Sequence, residues 1–214
     1  MINIPSKIQK IVKDLNSRID SIGCSGDQVI IYEDIYVLKI SNDINRIKRE
    51  KEKIDWINGK IPSPRSILFV IEDGKAYYLR TYIDGESLIS EKYLNEPLLL
   101  INMLEKAFNL LKKLDGLNCP FNSLECSGVD FVHGDLCLPN ILVKDNEISG
   151  FVDLENSGLG DRWYDYSWVL WSLEFNLKSD KYNQLLLEKL GIEFNQEKYE
   201  KHIPLENRME LKKR

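Results

Sequence analysis

Apolar positions along the chain alternate between helical and strand-like spacing, with turn-forming residues between the stretches. After Ser6, a residue type suited to a helix N-cap, Ile8, Ile11, Val12, Leu15 and Ile19 recur at helical spacing and predict a first helix. Residues 21–26 break the pattern with glycines and small polar side chains. Strand-like runs at 28–32 and 35–40 flank a turn at Glu33-Asp34. A helix is expected over 43–58, stopped by Gly59 with Pro62 and Pro64 beyond. Runs at 66–72 and 75–83 read as a hairpin around Asp73-Gly74, a type I′ turn signal.

The second half is mainly helical in pattern. A helix over 96–115 carries an apolar stripe of Leu98, Ile101, Leu104, Ala107, Phe108, Leu111 and Leu114. A hairpin over 141–152 follows an apolar run into His133. Trp163, Tyr164, Tyr166, Trp168, Val169 and Trp171 read as core packing for a helix, in preference to a sugar-stacking platform. A further helix ends at Gly191, and Pro204 breaks helix near the C-terminal end.

Candidate chemistry changes the picture at two places. In strand alternation Lys39 shares a face with Ile35 and Val37, so a cation projects among apolar neighbours. The other place is Phe131-Val-His-Gly-Asp-Leu-Cys-Leu-Pro-Asn140, followed by Asp153 at the end of the next hairpin. A carboxylate such as Asp135 can accept a proton from an attacking hydroxyl. An amide (Asn140) and a second carboxylate (Asp153) offer hard oxygen ligands for Mg²⁺ bridging nucleotide phosphates.

Composition narrows the classes. A chain of 214 residues can form one compact domain or two small lobes. Hydrophobic content of 43% and charged content of 29% are those of an ordinary globular protein. A net charge of −5 argues against a general nucleic-acid binder and permits a cationic substrate. The four cysteines lack metal-ligand spacing and read as reduced thiols of a cytoplasmic protein. No run has signal-peptide or membrane-spanning character, so no membrane partner is expected.

The stretch His133-Gly-Asp-Leu-Cys-Leu-Pro-Asn140, together with Asp153-Leu-Glu-Asn-Ser-Gly-Leu-Gly-Asp-Arg-Trp-Tyr-Asp165, resembles the aminoglycoside phosphotransferase family. The resemblance implies a two-lobed, protein-kinase-like α+β fold with a small antiparallel-sheet N-lobe (1–83) and a mainly helical C-lobe (84–214). It implies phosphoryl transfer from ATP or GTP, with Mg²⁺, to a hydroxyl of a small cationic acceptor such as an aminoglycoside. Under it Asp135 is the catalytic base, Asn140 and Asp153 hold the metal, and Lys39 contacts the phosphates. Glu50, with Glu52 as the alternative, pairs with Lys39. Main-chain groups near Arg80 and Tyr82 bond adenine, Asp161 and Asp165 brace the loops, and Glu206 is left to grip an ammonium group of the acceptor.

The chain also departs from that family. Only residues 123–129 separate Asn118-Cys-Pro-Phe-Asn122 from the catalytic strand, where family members insert several dozen residues. Glu155-Asn156 stands where they commonly have Gly-Arg, so a basic residue near the phosphates is missing or supplied from elsewhere. Two alternatives stay open: a kinase for another small alcohol, and a nucleotide-binding relative without transferase activity.

Overall fold

The computed structural model describes residues 4–20 and 27–212. The glycine-bearing loop at 21–26, Cys24 included, lies outside the described residues. Helix α1 (Ser6–Val12) buries Ile8 and Val12 and is preceded by Pro5, with no side-chain cap from Ser6. It is shorter than its apolar spacing suggests. Ile19 belongs to β1 (Ser17–Asp20), where it is exposed; a four-residue edge strand is too short to display alternation.

β2 (Gln28–Tyr32) and β3 (Tyr36–Ser41) are joined through Glu33 and Asp34, both with positive φ (48° and 56°), as a type I′ turn requires. α2 (Ile44–Ile57) starts at Asp43, whose side chain accepts the Arg46 N–H, and stops before Gly59. β4 (Ser66–Glu72) and β5 (Lys75–Thr81) turn at Asp73-Gly74. The sheet order is β1-β2-β3-β5-β4, antiparallel throughout. The crossover through α2 sends β4 to the edge, and the hairpin brings β5 back beside β3.

β6 (Glu86–Ser87) and the short α3 (Glu91–Leu94) lead into α4 (Pro97–Leu111), which a 3-10 turn extends to Leu114. The expected apolar stripe is buried except for Leu98, which is 64% exposed. Pro97 occupies the first helical turn and the core face begins only at Leu100. β7 (Asp130–Val132), β8 (Ile141–Lys144), β9 (Glu147–Phe151) and β10 (Gly158–Gly160) follow. β7 pairs with β10, and β6, β8 and β9 form a second small sheet.

Among the described residues four helices follow: α5 (Trp163–Leu177), α6 (Lys181–Leu190), α7 (Gln196–His202) and α8 (Leu205–Lys212). The α5 aromatics are packing elements. Tyr166 lies 4.8 Å from Phe108, Tyr164 5.4 Å from His202, and Trp171 4.8 Å from Phe175 (ring centroids). Trp171 Nε1 donates to the Asn207 carbonyl.

Alternation along β5 divides the sheet between two cores. Tyr77 and Leu79 face α1 with Ile30, Leu38 and Ile40. Ala76 and Tyr78 face the other way, into a large cluster that holds Ile47, Ile54 and Ile57 of α2 together with α4, Phe131, Phe151 and α5. The short segment after Phe121 is stitched to β10 through Leu159 N–H to Phe121 C=O and Ser123 N–H to Leu159 C=O, both 2.9 Å.

Candidate active site

β7 delivers His133-Gly134-Asp135 into a tightly braced loop. Gly134 has φ +80°, and a Cβ there would sit 2.4 Å from the Asn156 carbonyl oxygen, so only glycine fits. Asp165, fully buried in the first turn of α5, accepts the N–H groups of His133 (2.7 Å) and Gly134 (3.0 Å). Burial pushes its carboxyl up to about 7 against the pull of those bonds and of Arg162. Arg162 also donates to the Phe131 carbonyl at 3.0 Å, while Asp115 accepts the Phe131 N–H at 2.9 Å. Asp161 accepts the Trp163 N–H and pairs with Lys198 at 2.9 Å. Asp165 thus braces the catalytic loop, whereas Asp161 bonds the start of α5 and ties it to Lys198 of α7.

Asn140 turns back on Asp135: Nδ2 donates to its carbonyl and to Oδ2, each at 2.9 Å. Burial raises the Asp135 carboxyl, and the charge of Asp153 adds to the effect. The neighbouring His133 ring is wholly buried, which depresses it to about 4 and keeps it neutral. Its Nδ1 accepts the Asp135 N–H at 3.3 Å.

Asp153 sits in the left-handed region (φ 55°, ψ 52°) at the head of a 3-10 turn, Leu154–Asn156. For a non-glycine residue that conformation costs of order 1–3 kcal/mol and concentrates at working sites. Burial works to raise its carboxyl, but Lys39 and Arg80 outweigh it and hold the group below the usual carboxylate value. Lys39 Nζ lies 3.5 Å from Asp153 Oδ1 and 2.9 Å from Glu50 Oε2. Burial opposes the Lys39 charge, yet Glu50 and Asp153 raise its pKa overall.

The fold therefore gathers Lys39, Glu50, Asp135, Asn140 and Asp153 into one cluster. Glu50 is the lysine's partner; Glu52 lies on the exposed face near Lys48. The expectation for Arg80 and Tyr82 needs correction. The Arg80 side chain is buried and donates Nη1 to Glu50 Oε1 at 3.1 Å, while its backbone lies opposite Val37 of β3. The Tyr82 N–H donates to Ile35 C=O at 2.8 Å. Both residues therefore turn main-chain groups toward β3, and strand alternation points those of Thr81 and Ile83 the other way. Glu206 is exposed in the first turn of α8, and among the described residues no hydrogen bond or ion pair joins it to this cluster.

Other participants went unnoticed in the sequence. Arg46 joins Asp27 and Glu155, and buried Lys53 donates to the Glu155 carbonyl at 2.7 Å. The signal was there in spacing: Arg46, Glu50 and Lys53 fall at i, i+4 and i+7 on one face of α2. Basic groups of α2 thus reach the segment where Glu155-Asn156 departs from Gly-Arg.

A metal fits in one respect. Among the described residues no group of three or more His, Cys, Asp or Glu is placed to hold one. Asn140, however, commits its Nδ2 to Asp135, which turns its amide oxygen away from that bond, and its main-chain carbonyl accepts the Val152 N–H at 3.1 Å, one residue before Asp153. So small a set suits Mg²⁺, which keeps waters and takes other ligands from phosphate oxygens. Among the described residues no helix is long and apolar enough to cross a membrane.

A small antiparallel sheet set over a helical body, with this cluster near their junction, is the protein-kinase-like architecture of small-molecule phosphotransferases. A family profile described as "Phosphotransferase enzyme family" matches residues 129–200. The aminoglycoside 3′-phosphotransferase of Enterococcus faecalis is 30% identical over 206 residues, covering 75% of this chain and 78% of that protein. The Staphylococcus aureus enzyme of the same name is 29% identical with the same coverage. In fold, the chain matches the solved aminoglycoside phosphotransferase APH(3'')-Id of Streptomyces rimosus with a TM-score of 0.71 at 17% identity, over 93% of this chain and 96% of that one. The chain belongs to the aminoglycoside phosphotransferase family. It is an enzyme that phosphorylates a hydroxyl acceptor.

Proposed function

We propose that the protein transfers the γ-phosphoryl group of ATP or GTP, with Mg²⁺, to a hydroxyl of an aminoglycoside in the cytoplasm. The observation that carries this reading is the convergence of Asp135, held by Asn140, with Lys39, held by Glu50 beside Asp153. Asp135 accepts the proton of the attacking hydroxyl; burial and the nearby charge of Asp153 raise its pKa, which makes its carboxylate a better base. Lys39 steadies the nucleotide phosphates, its head group fixed by Glu50. Asn140 and Asp153 would hold Mg²⁺, which would offset the charge on the phosphate oxygens. The Thr81 carbonyl and the Ile83 main chain, facing away from β3, are better placed for adenine than the main-chain groups of Arg80 and Tyr82; the Thr81 N–H is already given to the Arg65 carbonyl at 2.9 Å. Residues 1–83 and 84–214 serve as the two lobes around this cleft.

The net charge of −5 suits a cationic acceptor, and Glu206, an exposed acid on α8, is assigned to one of its ammonium groups. A solved neighbour from Streptomyces rimosus was captured with ADP and streptomycin. The short segment 123–129 favours a second reading, in which the acceptor is another small alcohol. Asp135→Ala should cut acceptor-stimulated ADP release by about 100-fold or more while ATP affinity stays near that of the parent. Unchanged turnover in that variant would sink the assignment. A panel of kanamycin-type aminoglycosides and simple alcohols identifies the acceptor.

A further inference from the structure

Lys39 is crowded by acids. Besides Glu50 and Asp153, its Nζ lies 3.8 Å from Asp27 Oδ2 and 4.0 Å from Glu155 Oε2. Asp27 and Glu155 have a second partner in common, Arg46. Its Nη1 meets Glu155 Oε2 at 2.7 Å, its Nη2 is hydrogen-bonded to Asp27, and Nη2 also reaches Ser41 Oγ at 3.2 Å. The side chains of Asp27 and Arg46 are only 5% and 16% exposed, so solvent screens this exchange of charge poorly. Buried Lys53 holds the main-chain carbonyl of Glu155 at 2.7 Å and so fixes the backbone from which that carboxylate reaches Arg46.

A polyanion approaching Lys39 meets Asp27 and Glu155 at its border. Lys39 alone cannot neutralise them, being engaged with Glu50 and Asp153. We propose that Arg46 is a positioning residue for nucleotide binding: it offsets the charge of Asp27 and Glu155, so that the triphosphate can settle against Lys39 with weaker repulsion from the two carboxylates. This inference rests on the nucleotide reading above. Arg46 acts through the two acids, and the arrangement needs no contact between its guanidinium and phosphate.

The test is calorimetric titration of the purified protein with Mg·ATP and, separately, with adenosine. Arg46→Gln should weaken Mg·ATP binding by about tenfold or more, because it leaves uncompensated like charge at the site. Adenosine, which carries no phosphate, should bind within about twofold of the parent. Adding Glu155→Gln to Arg46→Gln should restore Mg·ATP affinity to within about threefold of the parent, since Asp27 alone then carries the same net charge that Asp27, Glu155 and Arg46 carried together. Equal losses for ATP and adenosine would make Arg46 a mere structural tie and overturn the proposal. Loss for ATP without rescue by Glu155→Gln would make it a direct phosphate ligand, which also overturns it, as would parent-like ATP binding in Arg46→Gln. A parent protein that binds no Mg·ATP would overturn the nucleotide reading together with this one, whereas the other outcomes leave that reading standing.

Discussion

Asp165 tests how far the loop geometry depends on one buried carboxylate. Asp165→Ala removes the acceptor for two buried backbone N–H groups, those of His133 and Gly134. Each buried N–H left without a partner costs about 1–3 kcal/mol, so the variant should lose about 2–5 kcal/mol of stability at pH 8. For a chain of this size that is a fall in Tm of about 5–15 °C. Asp161→Ala is the matched control. Its carboxylate pairs with a Lys198 side chain that is 41% exposed, and together with the Trp163 N–H bond it should be worth only about 1 kcal/mol.

The Asp165 gap should also depend on pH. The folded carboxyl holds its proton up to about 7, whereas the unfolded one releases it near 3.8. Between those values folding takes up a proton, so this group's contribution is fully present below 3.8 and is lost as pH rises through 7. The difference between parent and Asp165→Ala should therefore widen as pH falls from 8 toward 4. Urea denaturation followed by tryptophan fluorescence, repeated across that range, measures both effects. Slackening of the loop should lower kcat by about 100-fold through misplacement of Asp135. A loss of stability no larger than that of Asp161→Ala would refute the bracing argument.

Gly134→Ala should lose about 2 kcal/mol or more, from the left-handed backbone and the contact with Asn156, and should be inactive; parent-like melting and turnover would contradict the geometry. Glu50→Gln leaves Lys39 and Arg80 without their buried counter-charge and should cost about 3–5 kcal/mol in denaturation while raising KM for nucleotide. His133 contributes with the opposite sign to Asp165: burial lowers its folded pKa to about 4 from the ordinary imidazole value of 6.5, so its share of stability appears as pH rises from 4 to 6.5. In Asp165→Ala, freed of the competing carboxyl, stability should climb over that interval, and a flat profile would show His133 to be protonated when buried.

The sequence was most readable where a local rule decides the structure. Asp73-Gly74 announces a type I′ turn and Glu33-Asp34 a turn, and both hairpins form there. Asp43 and Gly59 bound α2 because capping is a property of a few adjacent residues. Asp135, Asn140 and Asp153 were legible through spacing along one loop and one hairpin. What escaped depends on distant pairing. β6 and β10, of two and three residues, have no period of their own and exist only because β8 and β7 pair with them. The Arg46–Glu155 contact joins residues 109 positions apart: helical spacing puts Arg46 on one face with Glu50 and Lys53, but nothing local names the partner across the chain. Arg80 was read for its backbone, yet its side chain matters more because Glu50 has room for two cations.

The placement of α2 has a mechanical consequence. The helix lies early in the chain, between strands of the sheet, yet Ile47, Ile54 and Ile57 share one continuous core with α4 and α5. Its polar face meanwhile grips Lys39 and Arg80 on the sheet through Glu50, and the loop after Asp153 through Lys53. Chain order and cooperative unit therefore do not coincide. The sheet cannot melt away and leave an intact helical body, because the helix that leaves with it forms part of that body's interior. Sheet and helical body thus share one structural member, and loosening either should loosen both.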